Sequence, residues 1–561
     1  VNNSPFNPQD IPDSLRTLLK FRGVSGDEQL CRFLFPRLSD LPMPETMVNL
    51  PEAADLVAEY IVNGKDIVIW GDYDVDGTTG TALLVNFFRE FDAKVSWHIP
   101  NRFTEGYGLN VAWFAQQEVL LKKKDFLLIT VDCGISNKRE IELIVALGGR
   151  VIVTDHHRLP ESGLPDCLVI NPSLKICGFF GKHLAGAGVA FYLAAGVKQR
   201  MALYFPEKKI LLKQYLAFVA LGTVADVVEL SATNRILVRA GMEALSTTSF
   251  PGLQELLASS GIEREEIHSE DISYVLGPKI NAAGRLGESD LAVALFVEKN
   301  QKQAKKLAAR LSALNEQRKI LSAEILENII GNFASSRVEN DKCIIIDNVA
   351  HQGVAGIVAS KLVELFSVPC LIFAKKKTSD SSYSYIGSAR SIDGVDILAI
   401  LRECKAHLQQ CGGHEMAAGL SVADKEFANF SRKFIQSARK HVTERTIQPR
   451  RRYDIACPVE LVLSAEYLSV FKKLEPFGRG NEAPVFLDEQ SCIVDAKTVG
   501  RESQHLQVSI RGKISNVKGI GFGLGKKIDD IQRAPVRQIL YSPTINRFRG
   551  VISWQVRIID I

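Results

Sequence analysis

The sequence has no CxxC pair. Its ten cysteines lie scattered, which excludes a zinc ribbon and a dithiol redox motif. No unbroken apolar run reaches about 18 residues, so no membrane span is expected, and no secretory pattern stands at the start. The chain starts at Val1, so a few native residues are expected ahead of it. Reduced, mostly buried thiols and a cytoplasmic location are the expectation. Net charge is also scarce, +4 over 561 residues. Any nucleic-acid affinity must therefore come from local patches. Neither Gly nor Pro occurs between residues 291 and 330. The hydrophobic share of 46% and charged share of 24% are ordinary for a soluble protein, and the length should hold roughly three to five domains.

What the sequence does have is a series of acidic and histidine motifs, each placed just after an apolar run. Ile67-Val68-Ile69-Trp70 leads into Gly71-Asp72-Tyr73-Asp74-Val75-Asp76-Gly77, Phe126–Val131 into Asp132-Cys133-Gly134, and Val151–Thr154 into Asp155-His156-His157. The segment Tyr215–Leu221 leads into Gly222-Thr223-Val224-Ala225-Asp226. Short apolar runs between helical stretches predict parallel strands of an α/β sheet, whose ligands bind at the carboxyl ends of the strands. Carboxylates gathered at one sheet edge repel one another, and divalent cations hold such groups together. Asp, His and water suit Mn²⁺ or Mg²⁺. An EF-hand loop starting at Asp72 fails, because its twelfth position is Leu83 where a bidentate Glu is needed. A haloacid-dehalogenase-like motif at Asp74–Thr78 leaves the tandem histidines unexplained, and a functionless acidic turn does not recur four times.

Along the chain, residues 1–45 read as an N-terminal extension packed on the first domain. Alternating helix and strand patterns from about 46 to 230 predict a doubly wound sheet, in a domain expected over 46–290. Within it, Gly181–Gly188 is a glycine-rich turn before a helix from Val189. Residues 291–335 predict one long connecting helix, on the order of 60 Å over 291–330 at 1.5 Å per residue. It carries Leu307, Leu311, Leu314, Leu321 and Ile325 on one face. Lys302, Lys305, Lys306, Arg310, Arg318 and Lys319 lie on the other, which is either a solvated face or the lining of a groove between two domains. A second α/β unit is expected at 336–445. Residues 446–561 read as the basic linker Arg450-Arg451-Arg452 followed by short alternating strands, with Leu506, Val508 and Ile510 on one face and Ile552, Trp554, Val556 and Ile558 on another, suggesting a small β-barrel.

The ordered set of DYDVDG, VDCG, TDHH and GTVAD resembles the DHH phosphoesterase superfamily. Ile99–Gly108, Gly277–Arg285, Gly412–Gly419 and Glu475–Asn481 extend the likeness over nearly the whole chain to the RecJ family of single-strand-specific 5′→3′ exonucleases. The resemblance implies a DHH catalytic domain, a connecting helix, a DHH-associated domain and an oligonucleotide-binding (OB) barrel. It implies two Mn²⁺ or Mg²⁺ ions held by Asp74, Asp76, Asp132, His156 and Asp226, with Asp132 bridging. His157 would face the scissile phosphate, with Asp155 and Asp72 as supporting groups. Pyrophosphatase relatives place a metal-binding His where this chain has Trp70, so Asp72 or water would fill that position. The implied activity is two-metal hydrolysis of single-stranded DNA to 5′-mononucleotides, in DNA repair and recombination. Alternatives are a phosphodiesterase for oligoribonucleotides or cyclic dinucleotides, and a non-catalytic single-strand-binding replication factor. Expected partners are single-stranded DNA, a single-stranded-DNA-binding protein and a RecQ-type helicase. A monomer without membrane association is expected.

Exonuclease polarity requires recognition of a strand end. Arg102, Arg285 and Arg390, with Ser388, are the candidates for gripping a 5′-phosphate, because Arg pairs bidentately with phosphate. Asn281 is expected to orient the backbone, His414 to approach phosphate or sugar from a Gly-Gly turn, and His351 to assist. In the tail, Phe477, Phe486, Tyr541, Phe548 and Trp554 alternate with Arg501, Arg511, Arg547 and Arg549. Most of these aromatics are expected in the barrel core and a few on a strand-binding track. The tail is expected to hold DNA but to supply no catalytic group.

Overall fold

The structure is a computed structural model that describes residues 10–117, 122, 124–332, 338, 340–349, 351–379, 382–443, 453–513, 515–548 and 551–561. The basic linker Arg450–Arg452 and Arg549 lie outside the described residues, as do the side chains of Arg501, Arg547, Phe548 and Ile552.

Five parallel strands form the first sheet: β1 (Asp66–Gly71), β2 (Lys94–His98), β3 (Phe126–Val131), β4 (Gly149–Thr154) and β5 (Leu168–Ile170), in the order β2-β1-β3-β4-β5. β3 is buried at every position and β1 at all but its first, because helices cover both faces and leave no side for polar residues. The strand order reverses between β1 and β3, which is where an open α/β sheet leaves a crevice at its carboxyl edge. The apolar run before Asp226 is a helix, Leu216–Ala225. All but its last residue are buried, so its composition matches that of a central strand.

The connecting segment is two helices, Leu291–Val297 and the 32-residue Gln301–Asn332. The expected single helix is broken without Gly or Pro. Glu298 is extended, its carboxylate accepts from the Asn300 N–H at 2.7 Å, and the Asn300 side chain caps the next helix by accepting from Gln303 N–H at 3.1 Å. The long helix therefore spans about 48 Å at 1.5 Å per residue. Ala304, Ala308, Leu311 and Leu314 pack into the first core, whereas Ile325, Leu321 and Ile329 pack against a second.

The second sheet runs β6 (Ile344–Ile346), β7 (Cys370–Ser379), β8 (Ser382–Arg390), β10 (Ala417–Ala423), β9 (Gln410–His414), with only β6 and β7 parallel. In the C-terminal sheet, β11 (Ile455–Ala456) flanks β12 (Phe486–Val499). Pairing then passes through β13 (His505–Ile510), β14 (Val517–Gly521), β16 (Val551–Asp560) and β15 (Val536–Phe548) back to β12, closing a five-stranded ring. Leu506, Val508 and Ile510 face its interior with Phe486 and Tyr541.

The N-terminal segment departs from expectation. Helices Asp13–Phe21 and Asp27–Leu34 bury Leu15, Leu18, Leu19, Leu30 and Leu34, with Ile11, in the C-terminal core rather than on the first sheet. Their amphipathic faces require an apolar partner but do not specify which one. Arg235 joins the three segments. Its guanidinium lies over the Phe33 ring and donates to the carbonyls of Phe33, Leu474 and Lys473 at 2.9, 2.8 and 2.8 Å. No described helix is long and apolar enough to cross a membrane.

Candidate active site

The sheet's hydrogen-bond ladder continues past the strand ends and thereby places the acidic residues. Asp72 N–H donates to Val131 O, Asp132 N–H to Thr154 O and Asp155 N–H to Ile170 O, at 3.0–3.1 Å. Asp74 caps the helix Val75–Arg89, accepting from Gly77 N–H at 3.0 Å. Asp76 in turn accepts from the N–H groups of Gly186 and Ala187 at 2.5 and 2.9 Å. These open the helix Gly186–Tyr204, which starts three residues earlier than the glycine-rich motif suggested. Gly186 is required there, since a Cβ would lie 2.6 Å from Asp132 Cβ. Backbone strain is concentrated here. Asp132 has φ +63° and Val227, directly after Asp226, has φ +57°. A β-branched residue pays on the order of 1–3 kcal/mol for that conformation.

Around this edge the side chains converge. His156 Nε2 is 3.0 Å from Asp132 Oδ1, 3.5 Å from Asp226 Oδ2 and 3.7 Å from Asp76 Oδ2. Asp72, Asp74 and Asp132 form a second group with ligand atoms within 4.8 Å of one another. Asp132 belongs to this second group and also forms one with His156 and His157, so it joins the two sides. Three of these buried polar atoms, Asp72 Oδ1, Asp132 Oδ1 and His156 Nε2, have no hydrogen-bond partner, a state that costs about 1–3 kcal/mol or more per group unless something binds there. Burial and then the charge of Asp74 push Asp72 up to about 8 and Asp76 up to about 7. Burial, then Asp76 and Asp74, push Asp226 up to about 9, and Asp132 is driven well above the carboxylate range by burial and the same neighbours. Burial and then the charge of His157 hold His156 down at about 4, which keeps its ring neutral and available as a ligand. Hard oxygens with one neutral imidazole fit Mn²⁺ or Mg²⁺.

Asp155 is arranged differently. Its carboxylate accepts from the N–H groups of Ile135, His156 and His157 and from His157 Nδ1 at 2.8 Å. It is thus consumed in orienting His157, whose side chain is 47% exposed. Burial alone would lower His157, but the bond and charge of Asp155, then Asp226 and Asp72, raise it to about 9. Trp70 is spent in the core, stacked with Phe114 and donating from Nε1 to Gly108 O at 3.2 Å.

The arginines lie where the first two units meet. Arg102 packs over the Tyr73 ring at 4.2 Å with its Nε buried and unpartnered. Arg285 donates to Gly353 O at 3.2 Å. Burial and the charges of Arg102, Arg390 and Arg318 lower it to about 9. Arg390, at the end of β8, leans on Gly356, where a Cβ would meet Nη2 at 2.7 Å. Ser388 lies two residues back on the same strand, and Asn281 sits half-buried on the helix Gly277–Arg285. His351 serves locally. It caps the helix Gln352–Phe366 by accepting from Gly353 N–H at 3.2 Å and lies edge-on to Phe103. His414 is exposed at the end of β9.

Two residues of this region carried no individual sequence signal. Arg318 counted only as one cation of a helix face, yet its charge acts on Arg285 and its Nε is buried without a partner. Tyr107, exposed between Gly106 and Gly108, turns its ring edge-on to His157 and to Tyr73, 6.4 and 6.3 Å away. A lone aromatic in a Gly-rich loop does not announce such a place.

Residues 66–223 match the N-terminal domain of the DHH family, 331–440 the DHHA1 domain and 453–560 the RecJ OB domain. The single-stranded-DNA-specific exonuclease RecJ of Escherichia coli is 33% identical over 580 residues, covering 100% of this chain and 98% of that protein. This chain belongs to the RecJ family. The RecJ of Bacillus subtilis is 32% identical over 98% of this chain and 68% of its own length. The crystal structure of RecJ in complex with Mn²⁺ from Thermus thermophilus superposes with a TM-score of 0.77 at 29% identity, covering 98% of this chain and 78% of that one. A second RecJ structure, bound to manganese, is 33% identical with a TM-score of 0.59 over 72% of this chain and 97% of that one. The closed C-terminal ring is therefore the OB domain of a RecJ-family protein.

Proposed function

We propose that this protein is a divalent-metal-dependent exonuclease that hydrolyses single-stranded DNA from its 5′ end and releases 5′-mononucleotides. The observation that carries the reading is a pair of adjoining ligand clusters, Asp76–His156–Asp226 and Asp72–Asp74–Asp132, joined where His156 Nε2 approaches Asp132 Oδ1 at 3.0 Å, with unpartnered buried ligand atoms in both. Asp76, Asp226, His156 and Asp132 would hold one ion, and Asp72, Asp74 and Asp132 the other, with Asp72 taking the position that Trp70 leaves vacant. Bound there, two Mn²⁺ or Mg²⁺ ions supply activation of the attacking water and stabilise charge on the attacking and leaving oxygens of an in-line displacement. Asp155 holds the His157 ring toward the cleft, where its protonated imidazole donates to a non-bridging oxygen of the scissile phosphate. Arg102, Arg285 and Arg390, with Ser388, grip the terminal phosphate and so set polarity, while Asn281 and His414 position the next sugar-phosphate. Cytoplasmic action in repair and recombination, beside a single-stranded-DNA-binding protein and a RecQ-type helicase, completes this reading on the strength of family membership. The direct test is digestion of strands labelled at either end with Mn²⁺, Mg²⁺ or EDTA. Release of 5′ label first, abolished by EDTA, supports the proposal, and 3′ release overturns its polarity.

Replacing Arg390 with Ala is expected to cut the preference for 5′-phosphate over 5′-hydroxyl strands about ten- to a hundredfold, from roughly 1.5–3 kcal/mol of lost charge-assisted hydrogen bonding. An unchanged ratio of kcat/KM for the two strands places end recognition elsewhere.

Metal binding should also alter the pH dependence of stability. Asp72, Asp76 and Asp226 are raised to about 8, 7 and 9 in the fold. Their contribution to metal-free stability is complete below the ordinary carboxylate range near about 4 and is lost as pH rises through these folded values. A cation replaces the protons, so the rise in Tm on adding Mn²⁺ should grow from pH 6 to pH 9. It should reach on the order of 5–10 °C at a hundred times Kd. A Tm shift that is flat with pH contradicts the proposed ligand set.

A further inference from the structure

The C-terminal unit sends one turn to the metal-cluster side of the first unit. Gly478 and Asn481 exchange both backbone hydrogen bonds at 3.0 Å, closing the turn on itself. The buried Asn481 side chain braces it, donating to Leu474 O and Pro476 O at 2.8 Å and accepting from Arg22 at 3.1 Å. The turn is docked on Glu229 and Leu230. Leu230 N–H donates to Arg479 O at 2.8 Å, and a Cβ on Gly478 would stand 2.7 Å from Leu230 Cδ1. Gly480, at φ +78°, approaches the Glu229 side chain as closely. Leu230 follows Asp226 by four positions, at most about 14 Å of chain.

A rigid turn held this way presents Arg479 to solvent. Among the described residues its side chain has no hydrogen bond or ion pair, although Glu229 lies beneath the turn. Burial and then the charges of Arg390, Arg479 and Arg158 depress His414, opposed by Glu415. Arg158 is exposed and directly follows His157. Arg479 and Arg158 are thus both held beside the cluster, Arg479 by the turn docked on Leu230 and Arg158 by following His157, and each offers its guanidinium to a phosphate there.

We propose that Arg479 is a phosphate-binding residue of the active-site opening, gripping the DNA backbone together with Arg158 within a few nucleotides of the scissile bond. The inference rests on the nuclease reading above and gives the C-terminal unit a direct part in the site, beyond any track on the barrel.

The test uses the full chain with Arg479→Ala and Arg479→Lys, on a 5′-phosphorylated tetranucleotide and on a long strand. The tetranucleotide confines binding to the few nucleotides nearest the cluster. Arg479→Ala should raise KM on the tetranucleotide about tenfold, with kcat within about twofold. In EDTA the log–log salt slope of tetranucleotide binding should fall by about 0.7. Arg479→Lys should recover most of the slope, and melting temperature should not move, since the side chain is exposed. An unchanged tetranucleotide KM and slope, or an effect confined to the long strand, overturns the proposal. Failure of the wild-type chain to cleave any strand sinks the nuclease reading instead. Tetranucleotide binding in EDTA then still decides whether Arg479 holds phosphate.

Discussion

Asp132→Asn is expected to abolish cleavage, by about a thousandfold or more, while single-strand binding survives. Asp132 sits with Asp72 and Asp74 on one side and with His156 and His157 on the other. Its loss removes about 4 kcal/mol or more of transition-state stabilisation. The amide keeps the shape of the carboxylate, and Asp132 makes no side-chain hydrogen bond that holds a helix or strand in place. Asp76→Ala is a poorer test, because Asp76 accepts the two N–H groups that open the helix Gly186–Tyr204. Its removal would mix lost chemistry with a displaced helix. Single-turnover rates and strand affinity, both measured for Asp132→Asn, separate the two effects. Cleavage within a few-fold of wild type at matched Mn²⁺ would falsify the shared-ligand assignment.

Removal of residues 450–561 is expected to unfold the N-terminal segment and to lower Tm steeply, rather than to leave a tidy catalytic core. Ile11, Leu15, Leu18, Leu19, Leu30 and Leu34 all bury against the C-terminal core. Exposing six such side chains at about 1.5–3 kcal/mol each costs roughly 9–18 kcal/mol, as much as a whole domain's stability. Arg235 would also lose the carbonyls of Leu474 and Lys473. The N-terminal extension, expected on the first domain, is thus bound to the tail by packing, and the truncated chain would lack Arg479 as well. Calorimetry and protease sensitivity of residues 10–36 provide the check. A truncated chain melting within a few degrees of the full protein, with this segment still protected, contradicts the shared core.

The sequence by itself determined the catalytic edge. β1, β3 and β4 are local apolar runs, and each acidic motif follows its strand without a gap. Chain connectivity alone therefore carries Asp72, Asp132 and Asp155 to one side of a parallel sheet. Asp226 was also legible at the end of an apolar run, although that run is a helix with the composition of a buried strand, and the family likeness added its role as a metal ligand. The break at Glu298–Asn300 was not legible, because it depends on two side-chain caps rather than on Gly or Pro. Only the tertiary structure decided that the N-terminal helices close the C-terminal core, that Arg318 has its Nε buried without a partner, and that Arg479 stands over the loop after Asp226. Periodicity shows that a helix has an apolar face, and a cation shows that charge is present. Neither encodes its partner, because contacts between residues hundreds of positions apart leave no local pattern for a sequence to display.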